Sequence, residues 1–255
     1  MKKLENKVAV ITGAGSGMGR AMAILFAEHG CKVVLADIHA HRLEEVEKEI
    51  HQSDGIACTV IANMSKEEDI NRMINTAVSM YGTLDILVNN AGVMDNFAPV
   101  GEVDDTMWER VMKTNVDGPF KAMRNAIPIF LKKGKGVILN ISSIGGLQGA
   151  RAGAAYTTSK HALIGLTKNT GYMYSKSGIR CNAIAPGAVN THISESIDMS
   201  KVTPLINERI MSGMVTNPRT GEANEIATLA LFLVSDDASF VNATVVTADG
   251  GWTGY

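Results

Sequence analysis

The chain has 255 residues, of which 45% are hydrophobic and 20% charged, a composition typical of an ordinary soluble globular protein and unlike that of a disordered or fibrous one. Its 24 basic and 26 acidic residues give a net charge of −2, which argues against nucleic-acid binding and leaves no polybasic surface for a membrane. There is no signal-peptide pattern and no apolar run near the ~18 residues of a membrane span, so we expect a cytoplasmic protein.

Short apolar runs alternate with longer segments of helical periodicity along the chain. The apolar runs predict strands at 8–11, 32–36, 56–61, 86–89, 137–141, 180–184 and 245–247. The periodic segments predict helices at about 19–29, 42–52, 66–81, 106–131, 155–176 and 222–233, and Pro128 should kink or end the fourth helix. This alternation predicts an α/β fold, with a parallel sheet of about seven strands and helices on both faces.

No linker, repeat or shift in composition divides the chain. We therefore predict a single domain over residues 1–255 that binds both cofactor and substrate. The longest break in the alternation is 187–222, a segment rich in Met, Ser and Thr. Long loops that follow a strand in such folds are usually lids or specificity loops, so we expect this segment to border the substrate.

A glycine-rich turn, TGAGSGMG at 12–19, follows the first predicted strand and leads into a helix. Backbone N–H groups at a helix N-terminus attract a pyrophosphate, and glycine permits both close approach and positive φ. The spacing G-x-x-x-G-x-G differs from the general dinucleotide motif G-x-G-x-x-G. Taken alone the turn is a weak indication, because ordinary tight turns have the same composition.

A carboxylate ends the second predicted strand. Asp37 lies 24 residues after the first glycine of the turn, near the offset at which an acidic residue binds dinucleotide ribose hydroxyls; a helix N-cap is the alternative. Asp37 would repel the additional phosphate of NADP, and neither Ser16 nor Ile38 supplies a compensating cation. Arg20 and Arg42 are interpreted as residues of a helix face or end, so we predict NAD as the cofactor.

Tyr156 and Lys160 are four residues apart and share one face of a predicted helix. A lysine cation at ~4 Å would favour the phenolate by about 4 kcal/mol, or about three pKa units, less the cost of desolvation. We therefore expect Lys160 to lower the pKa of Tyr156 and so allow the phenol to exchange a proton with a substrate oxygen. A core aromatic residue one turn before a surface lysine is the alternative.

Ser142 and Ser143 directly follow the fifth predicted strand, at the carboxyl edge where ligands bind in parallel sheets. A hydroxyl at this position can hold a substrate oxygen. We interpret Ser142 as an N-cap or turn residue. Three histidines, His39, His41 and His192, are interpreted as solvated or capping residues, and three widely spaced cysteines, Cys31, Cys58 and Cys181, as free buried thiols. No metal site is expected.

In this order the motifs resemble those of the short-chain dehydrogenase/reductase family from end to end. The shared motifs are TGxxxGxG at 12–19, NNAG at 89–92, Asn115, Ser143, Tyr156-x-x-x-Lys160 and Pro186-Gly187. The resemblance implies a Rossmann-type, doubly wound sheet and reversible hydride transfer between NAD(H) and a secondary alcohol or ketone. It also implies a small-molecule substrate and a homotetramer or homodimer.

The same resemblance assigns roles to individual residues. It implies that Tyr156 is the general acid–base, that Lys160 lowers its pKa and binds the nicotinamide ribose, that Ser143 orients the substrate carbonyl, and that Asn115 holds a water linking Lys160 to solvent. The turn, the carboxylate and the resemblance together predict cofactor contacts from Gly13, Ser16, Gly17, Met18, Gly19, Asp37, Ile38, Asn63, Met64, Asn90, Gly92, Tyr156, Lys160, Pro186, Gly187, Val189 and Thr191. Asn63 stands where the family usually has aspartate, so we expect somewhat weaker cofactor binding.

Two other functions remain open at this point. A 3-oxoacyl-acyl-carrier-protein reductase would need a basic docking patch, which Lys132, Lys133 and Lys135 near Lys176 could form, although a solvated helix end is the simpler interpretation. The predicted NAD preference also counts against it. A non-catalytic NAD-binding sensor or scaffold would keep the fold but have no use for a tuned phenol. We expect the substrate pocket to involve 94–97, 144–151 and 190–214, which do not identify a molecule.

Overall fold

A seven-stranded parallel sheet lies at the centre of the computed structural model, which describes residues 2–254. The strands are β1 (Val8–Thr12), β2 (Lys32–Asp37), β3 (Ile56–Ile61), β4 (Ile86–Asn89), β5 (Gly136–Ile141), β6 (Ile179–Pro186) and β7 (Val245–Ala248). Their order is β3-β2-β1-β4-β5-β6-β7, and every neighbouring pair is parallel. The predicted fold class is confirmed. Met1 and Tyr255, at the ends of the predicted domain, lie outside the described residues.

Helices follow most of the strands, as β-α units require. They are α1 (Gly17–Glu28), α2 (Ala40–Gln52), α3 (Glu67–Tyr81), α4 (Asp105–Met112), α5 (Gly118–Lys133), α6 (Ala154–Met173), α7 (Pro204–Met214) and α8 (Ala223–Val234). Across residues 2–254, none of the helices has both the length and the apolar character needed to cross a membrane.

Two stretches differ from the predicted elements. The helix predicted at 106–131 is two helices, α4 and α5, joined by a π-helical turn at Lys113–Asp117. Pro128 is exposed, so the carbonyl that loses its helical partner can bind water, and α5 continues past it to Lys133. The segment predicted as a loop at 187–222 contains α7 and two short 3-10 turns, His192–Ser196 and Met199–Lys201.

Both faces of the sheet are covered. On one face α1, α2 and α8 bury Phe26 and Leu233, and on the other α3, α5 and α6 pack over Met73 and Phe130. Each such side chain contributes about 1.5–3 kcal/mol through burial. Burial on both faces explains why the strands are nearly continuous apolar runs rather than alternating ones. Cys31 and Cys181 are buried free thiols as predicted, whereas Cys58, on edge strand β3, is only partly buried.

The strand order places a switch point beside β1. The chain runs from β1 outward through β2 to β3 and then crosses to β4 on the other side of β1. Ligands bind in the crevice that such a reversal leaves at the carboxyl ends of the strands. The glycine turn follows β1, the NNAG motif follows β4 and the serine pair follows β5, so all three motifs meet at this edge.

The positions in the turn require glycine for different physical reasons. Gly13 and Gly17 adopt φ of 65° and 51°, values that favour glycine. Gly19 has no such angle, but a side chain there would come within 2.0 Å of the Gly13 carbonyl oxygen and 2.6 Å of Asn90 Nδ2. The first glycines therefore permit the turn, and the last permits α1 to pack tightly against it.

Replacing Gly19 with alanine should destabilise the fold, because the clashing oxygen belongs to the backbone and cannot rotate away. We expect the free energy of unfolding, measured by urea denaturation, to fall by about 2–4 kcal/mol. Gly165→Ala is the matched control: Gly165 is exposed on α6, and a side chain there would meet nothing within 4 Å. That variant should gain about 0.5–1 kcal/mol, and equal stability of the two variants would contradict the close packing at Gly19.

Candidate functional site

A cavity of about 880 Å³ lies at the switch point, a size suited to a cofactor. The predicted cofactor residues that line it are Gly13, Ser16, Gly17, Met18, Asp37, Ile38, Asn63, Met64, Asn90, Gly92 and Thr191. Gly19, Tyr156, Lys160, Pro186, Gly187 and Val189 are not part of this lining. A side chain on Gly19 would meet the Gly13 carbonyl, and one on Gly187 would meet Asp249. Their contact with the cofactor stays a prediction.

The start of α1 fits a pyrophosphate. Ser16 is the N-cap residue, but its side chain makes no capping hydrogen bond. The first N–H groups of a helix lack helical partners, and Gly17 and Met18 of this first turn line the cavity. A phosphate group would satisfy these donors and lie at the positive end of the helix dipole.

Asp37 lies at the adjoining end of the cavity, where it holds the turn in place. Its Oδ2 accepts a hydrogen bond from the Gly15 N–H at 3.0 Å, and its Oδ1 accepts one from the His39 N–H at 3.0 Å. Two neighbouring hydroxyls on a sugar ring, such as those of ribose, could donate hydrogen bonds to the remaining lone pairs of this carboxylate. The residues at this end therefore fit an adenosine ribose.

Arg42 lies at the start of α2, as expected of a helix-end residue, and it also lines this end of the cavity. Its guanidinium pairs with Glu195 of the His192–Ser196 turn at 3.0 Å, and this contact holds the pKa of the Glu195 carboxyl below its usual range. Arg20, by contrast, pairs with Glu49 on the surface. The cation nearest Asp37 is thus neutralised by a residue of the predicted substrate segment.

Asn90 fixes the glycine turn to β4. Its Nδ2 donates to the carbonyl oxygens of Thr12 and Gly13, at 2.9 and 3.2 Å, and its backbone N–H donates to Thr12 Oγ1 at 3.0 Å. Thr12 Oγ1 in turn donates to the Val88 carbonyl at 3.3 Å. These bonds join the carboxyl ends of β1 and β4, which sets the width of the crevice.

Behind the cavity wall, Ser143 and Lys160 converge on Tyr156. Ser143 Oγ and the Tyr156 ring both flank Gly145, close enough for the Ser143 hydroxyl to lower the pKa of the phenol, and the Lys160 ammonium lies 5.4 Å from the centre of the Tyr156 ring. Lys160 Nζ donates to the Ile141 carbonyl at 2.8 Å. A side chain on Gly92, which lines the cavity, would come within 3.5 Å of that nitrogen, so only a glycine separates the lysine from the cavity.

Burial has the largest effect on the pKa values of Tyr156 and Lys160. Burial raises the pKa of Tyr156 to about 12, against the hydrogen bond from Ser143, which lowers it, and burial lowers the pKa of Lys160 to about 8. The expectation that Lys160 lowers the pKa of Tyr156 is therefore wrong for this structure. Because the lysine loses its proton first, it carries no charge at the pH where the phenol would ionise.

Asn115 occupies the π-helical turn, an element that is frequent at functional sites. Its side chain is fully buried; Oδ1 accepts from the Val93 N–H at 2.9 Å, and Nδ2 donates to the Val93 carbonyl at 2.9 Å and to Ser159 Oγ at 3.1 Å. Ser159 Oγ donates to the Tyr156 carbonyl at 2.8 Å. Asn115 thus links the loop after β4 to the helix that carries Tyr156.

Of the two serines after β5, Ser143 rather than Ser142 has the capping role. Ser143 Oγ accepts from the Gly145 N–H at 3.0 Å and so caps a short 3-10 turn, the role expected of its neighbour. Ser142 is buried and donates to the Lys160 carbonyl at 3.1 Å. Ser142 is therefore not a capping residue: its backbone lies one residue beyond the strand, facing α6, and it ties β5 to that helix.

The His192–Ser196 turn covers the substrate side. Ser196 Oγ accepts from the Met94 N–H at 2.9 Å, and Asp198 N–H donates to Asn96 Oδ1 at 2.8 Å. Arg110 joins the loop after β4 to this turn by donating to the carbonyls of Met94, at 2.7 Å, and Ser196, at 3.3 Å. The predicted pocket segments 94–97 and 190–214 therefore meet, and they leave Tyr156 only 6% exposed.

Sequence reasoning did not assign one wall of the cavity. This wall comes from α4 and the π-helical turn, whose lining residues are Asp105, Thr106, Glu109, Arg110, Lys113 and Thr114. Their polar side chains recur every three or four residues, which marks one face of a helix. That polar stripe was the available signal, but it resembles any solvated helix face.

Comparison with known proteins gives consistent matches over the full length. The family described as "Enoyl-(Acyl carrier protein) reductase" matches residues 13–253. The chain is 40% identical to 3beta-hydroxysteroid dehydrogenase 2 of Eggerthella lenta over 99% of this chain and 96% of that protein. The crystal structure of levodione reductase has a TM-score of 0.90 and 35% identity, covering 99% of this chain and 100% of the other. A crystal structure from Beutenbergia cavernae with NADP bound at low occupancy has a TM-score of 0.87 and 33% identity, covering 99% of each chain.

Replacing Lys160 with methionine should show the cost of the buried charge. The folded-state pKa of about 8 lies below the usual 10.5, so the penalty is fully present below pH 8 and is relieved as the pH rises towards 10.5. We expect the variant's advantage in free energy of unfolding over the natural chain to be about 2 kcal/mol larger at pH 7 than at pH 10. Lys168→Met, on the exposed face of α6, is the control and should show no such dependence. A pH-independent difference for Lys160→Met would contradict the charge burial.

Proposed function

The chain belongs to the short-chain dehydrogenase/reductase family of nicotinamide-dependent oxidoreductases, and from this premise we propose that it interconverts a secondary alcohol and a ketone, with NAD(H) as its cofactor. One observation carries the proposal. A buried phenol, Tyr156, is held by Ser143 beside Lys160, immediately behind the cavity at the switch point of the sheet. When bound, the nicotinamide supplies and accepts the hydride.

The residues of the chain supply position and a proton. With its pKa raised to about 12, Tyr156 is a neutral phenol at neutral pH and can donate its proton to a carbonyl oxygen. Ser143 can hold the same oxygen, because its hydroxyl already faces the phenol. Below about pH 8 the Lys160 ammonium is protonated, which favours the alkoxide or phenolate that develops as the proton moves. Water has little access to the phenol, since Tyr156 is almost fully buried.

Cofactor choice depends on the ribose end. Asp37 would repel a 2′-phosphate, and Arg42, the cation beside it, is engaged by Glu195. A phosphate there would therefore meet a carboxylate and have to compete for the guanidinium. This arrangement supports NAD over NADP. Asn63 donates its backbone N–H to Asp69 and accepts from Ser65, so its role towards adenine stays a proposal.

The substrate is proposed by analogy with the relatives and by the character of the site. The relatives' names specify a 3β-hydroxysteroid and levodione, and the predicted pocket segments contribute the buried apolar side chains of Met94 and Ile144. We therefore favour a ketone or secondary alcohol on an apolar skeleton.

The alternatives receive less support. A carrier-protein reductase needs free lysines for docking, but Lys133 pairs with Asp85 and Lys135 with Asp236. A non-catalytic sensor has no need for a buried phenol placed beside a serine hydroxyl and a buried lysine. The predicted cytoplasmic location stays a prediction.

A homodimer or homotetramer is also proposed. Trp108 on α4 and Phe120 on α5 are each about two-fifths exposed, and Phe240 is fully exposed. Large apolar side chains on the surface of one chain are typical of subunit contacts, and Trp108 and Phe120 lie on consecutive helices. The solution mass distinguishes the two assemblies.

Tyr156→Phe should abolish turnover while leaving dinucleotide binding intact, because only the exchangeable proton is lost. We expect kcat to fall by about 10²–10⁴-fold in a ketone screen followed at the NADH absorbance. Tyr172→Phe, on the exposed face at the end of the same helix, is the control and should retain full activity. Activity retained by Tyr156→Phe would overturn the proposed mechanism, and tight dinucleotide binding by the natural chain without turnover of any substrate would favour a sensor.

The cofactor proposal predicts a higher kcat/KM with NADH than with NADPH. Asp37→Asn should narrow the difference by removing the like charge, and Glu195→Gln should strengthen NADPH binding by about 2- to 5-fold by freeing Arg42. Glu49→Gln breaks the corresponding pair with Arg20 outside the cavity and should leave both cofactors unaffected. Binding is measured by fluorescence titration, and a natural chain more efficient with NADPH would remove Asp37 from this role.

A further inference from the structure

Asp95 is a buried carboxylate that the proposed mechanism does not use. It follows β4 in the loop at 90–98 and has no exposed surface. Three backbone N–H groups donate to it: Phe97 at 3.0 Å and Gly153 at 3.1 Å to Oδ1, and Tyr156 at 2.9 Å to Oδ2. Burying a carboxylate is costly unless hydrogen bonds replace its water, and here backbone donors of two elements do so.

Two of these donors belong to the start of α6, the helix that carries Tyr156. Gly153 is the N-cap residue and has no side chain with which to cap the helix, so Asp95 provides the cap from another part of the chain. A side chain on Gly153 would come within 2.5 Å of Asp95 Oδ2. Glycine at 153 is therefore required for the carboxylate to reach the helix N-terminus.

The bond to the Tyr156 N–H places the carboxylate on the backbone of the proposed general acid itself. Ala154 N–H also donates to the Ala98 carbonyl at 2.9 Å, so the first turn of α6 is docked on both sides of Asp95. The same loop is held at Val93 by both polar atoms of the Asn115 amide. A single short loop thus connects Asn115, through Asp95, to Tyr156.

We propose that Asp95 is a positioning residue for the proposed reaction: its carboxylate fixes the first turn of α6, and with it the direction of the Tyr156 hydroxyl. This inference rests on the proposed function, since it assigns Tyr156 the proton transfer. It goes beyond that function because it adds a residue, Asp95, that neither lines the cavity nor contacts the reacting oxygen.

The charged groups around Tyr156 predict the direction in which its pKa moves when Asp95 loses its charge. Asp95 faces it from the loop after β4 and raises the pKa of the phenol, in addition to burial, and Lys160 faces it from its own helix. Ser143 contributes a neutral hydroxyl from the end of β5, and Arg110 of α4 lies farther out, bonded to the Met94 carbonyl. Removing the charge at 95 should therefore move the pKa of Tyr156 downward.

Asp95→Asn keeps the shape of the side chain, removes its charge and turns one oxygen into a donor that faces a backbone N–H. We expect kcat to fall by about 10- to 100-fold through misalignment of the phenol, with the dinucleotide Kd unchanged. The pH profile of kcat should shift to lower pH by about 0.5 to 1. Asp95→Ser, which keeps an acceptor without the charge, should recover part of kcat but show the same shift in the profile.

Asp104→Asn is the matched control, because Asp104 caps α4 by accepting from the Met107 N–H at 2.7 Å, away from Tyr156. It should cost stability but leave the pH profile unchanged. Backbone amide exchange, followed by NMR in the natural chain, gives a readout independent of activity: the Gly153 and Tyr156 amides should be protected and lose that protection in Asp95→Asn.

The outcomes separate the two proposals. If the natural chain turns over no alcohol or ketone but the two amides lose protection in Asp95→Asn, the proposed function fails and the contact stands. If the natural chain is active and Asp95→Asn has an unchanged pH profile, or a loss matched by Asp104→Asn, Asp95 has only a structural role and the inference is overturned. Failure of both Asp95 variants to fold, while Asp104→Asn folds, would overturn it in the same way.

Discussion

Exclusion of water from the first two turns of α6 is the constraint on which the site depends. A phenol and an amine one helical turn apart would both titrate near pH 10 in water, and they would then differ little in proton affinity. Burial moves the two pKa values in opposite directions, to about 12 for Tyr156 and about 8 for Lys160. The result is a phenol that keeps its proton until a substrate oxygen takes it, beside an amine that can hold or release one near neutrality.

Keeping these groups dry requires a polar frame whose own hydrogen bonds are satisfied. The Asn115 amide is hydrogen-bonded to Val93 and Ser159. Ser142 donates to the Lys160 carbonyl and so joins the end of β5 to α6. Farther inside, Asn89 of β4 donates to Asn140 of β5, which donates to Thr167 of α6 at 2.9 Å; the buried Asn89 Oδ1 is the exception and has no partner among the described residues. Such networks stabilise only when nearly every member is paired, and they fix a unique arrangement of the elements they join. The position of α6, which carries Tyr156 and Lys160, is thereby fixed relative to the sheet edge that holds the cavity.

Much of this could be predicted from the sequence because it depends on local patterns. Apolar runs and helical periodicity located every strand to within about two residues, and the glycine turn and Asp37 stand where the strand ends placed them. The π-helical turn could not be predicted, since one extra residue in a helix leaves the apolar pattern nearly unchanged. The sign of the Tyr156 shift was wrong because it depends on burial by segments distant in sequence, 94–97 and 192–198. Asp95 and Glu195 escaped notice for the same reason, as the partners that give them their roles, Gly153 and Tyr156 for Asp95 and Arg42 for Glu195, lie 58 or more residues away.

The most direct test of the account is a crystal structure of the chain with NAD and a substrate-like ketone or alcohol. The account predicts that the pyrophosphate lies at the start of α1, that the nicotinamide ring lies beside Gly92, and that the Tyr156 hydroxyl and Ser143 Oγ share the ligand oxygen with Lys160 close by. A nicotinamide ring lodged away from Tyr156, or phenol and ammonium groups facing apart in the complex, would contradict it.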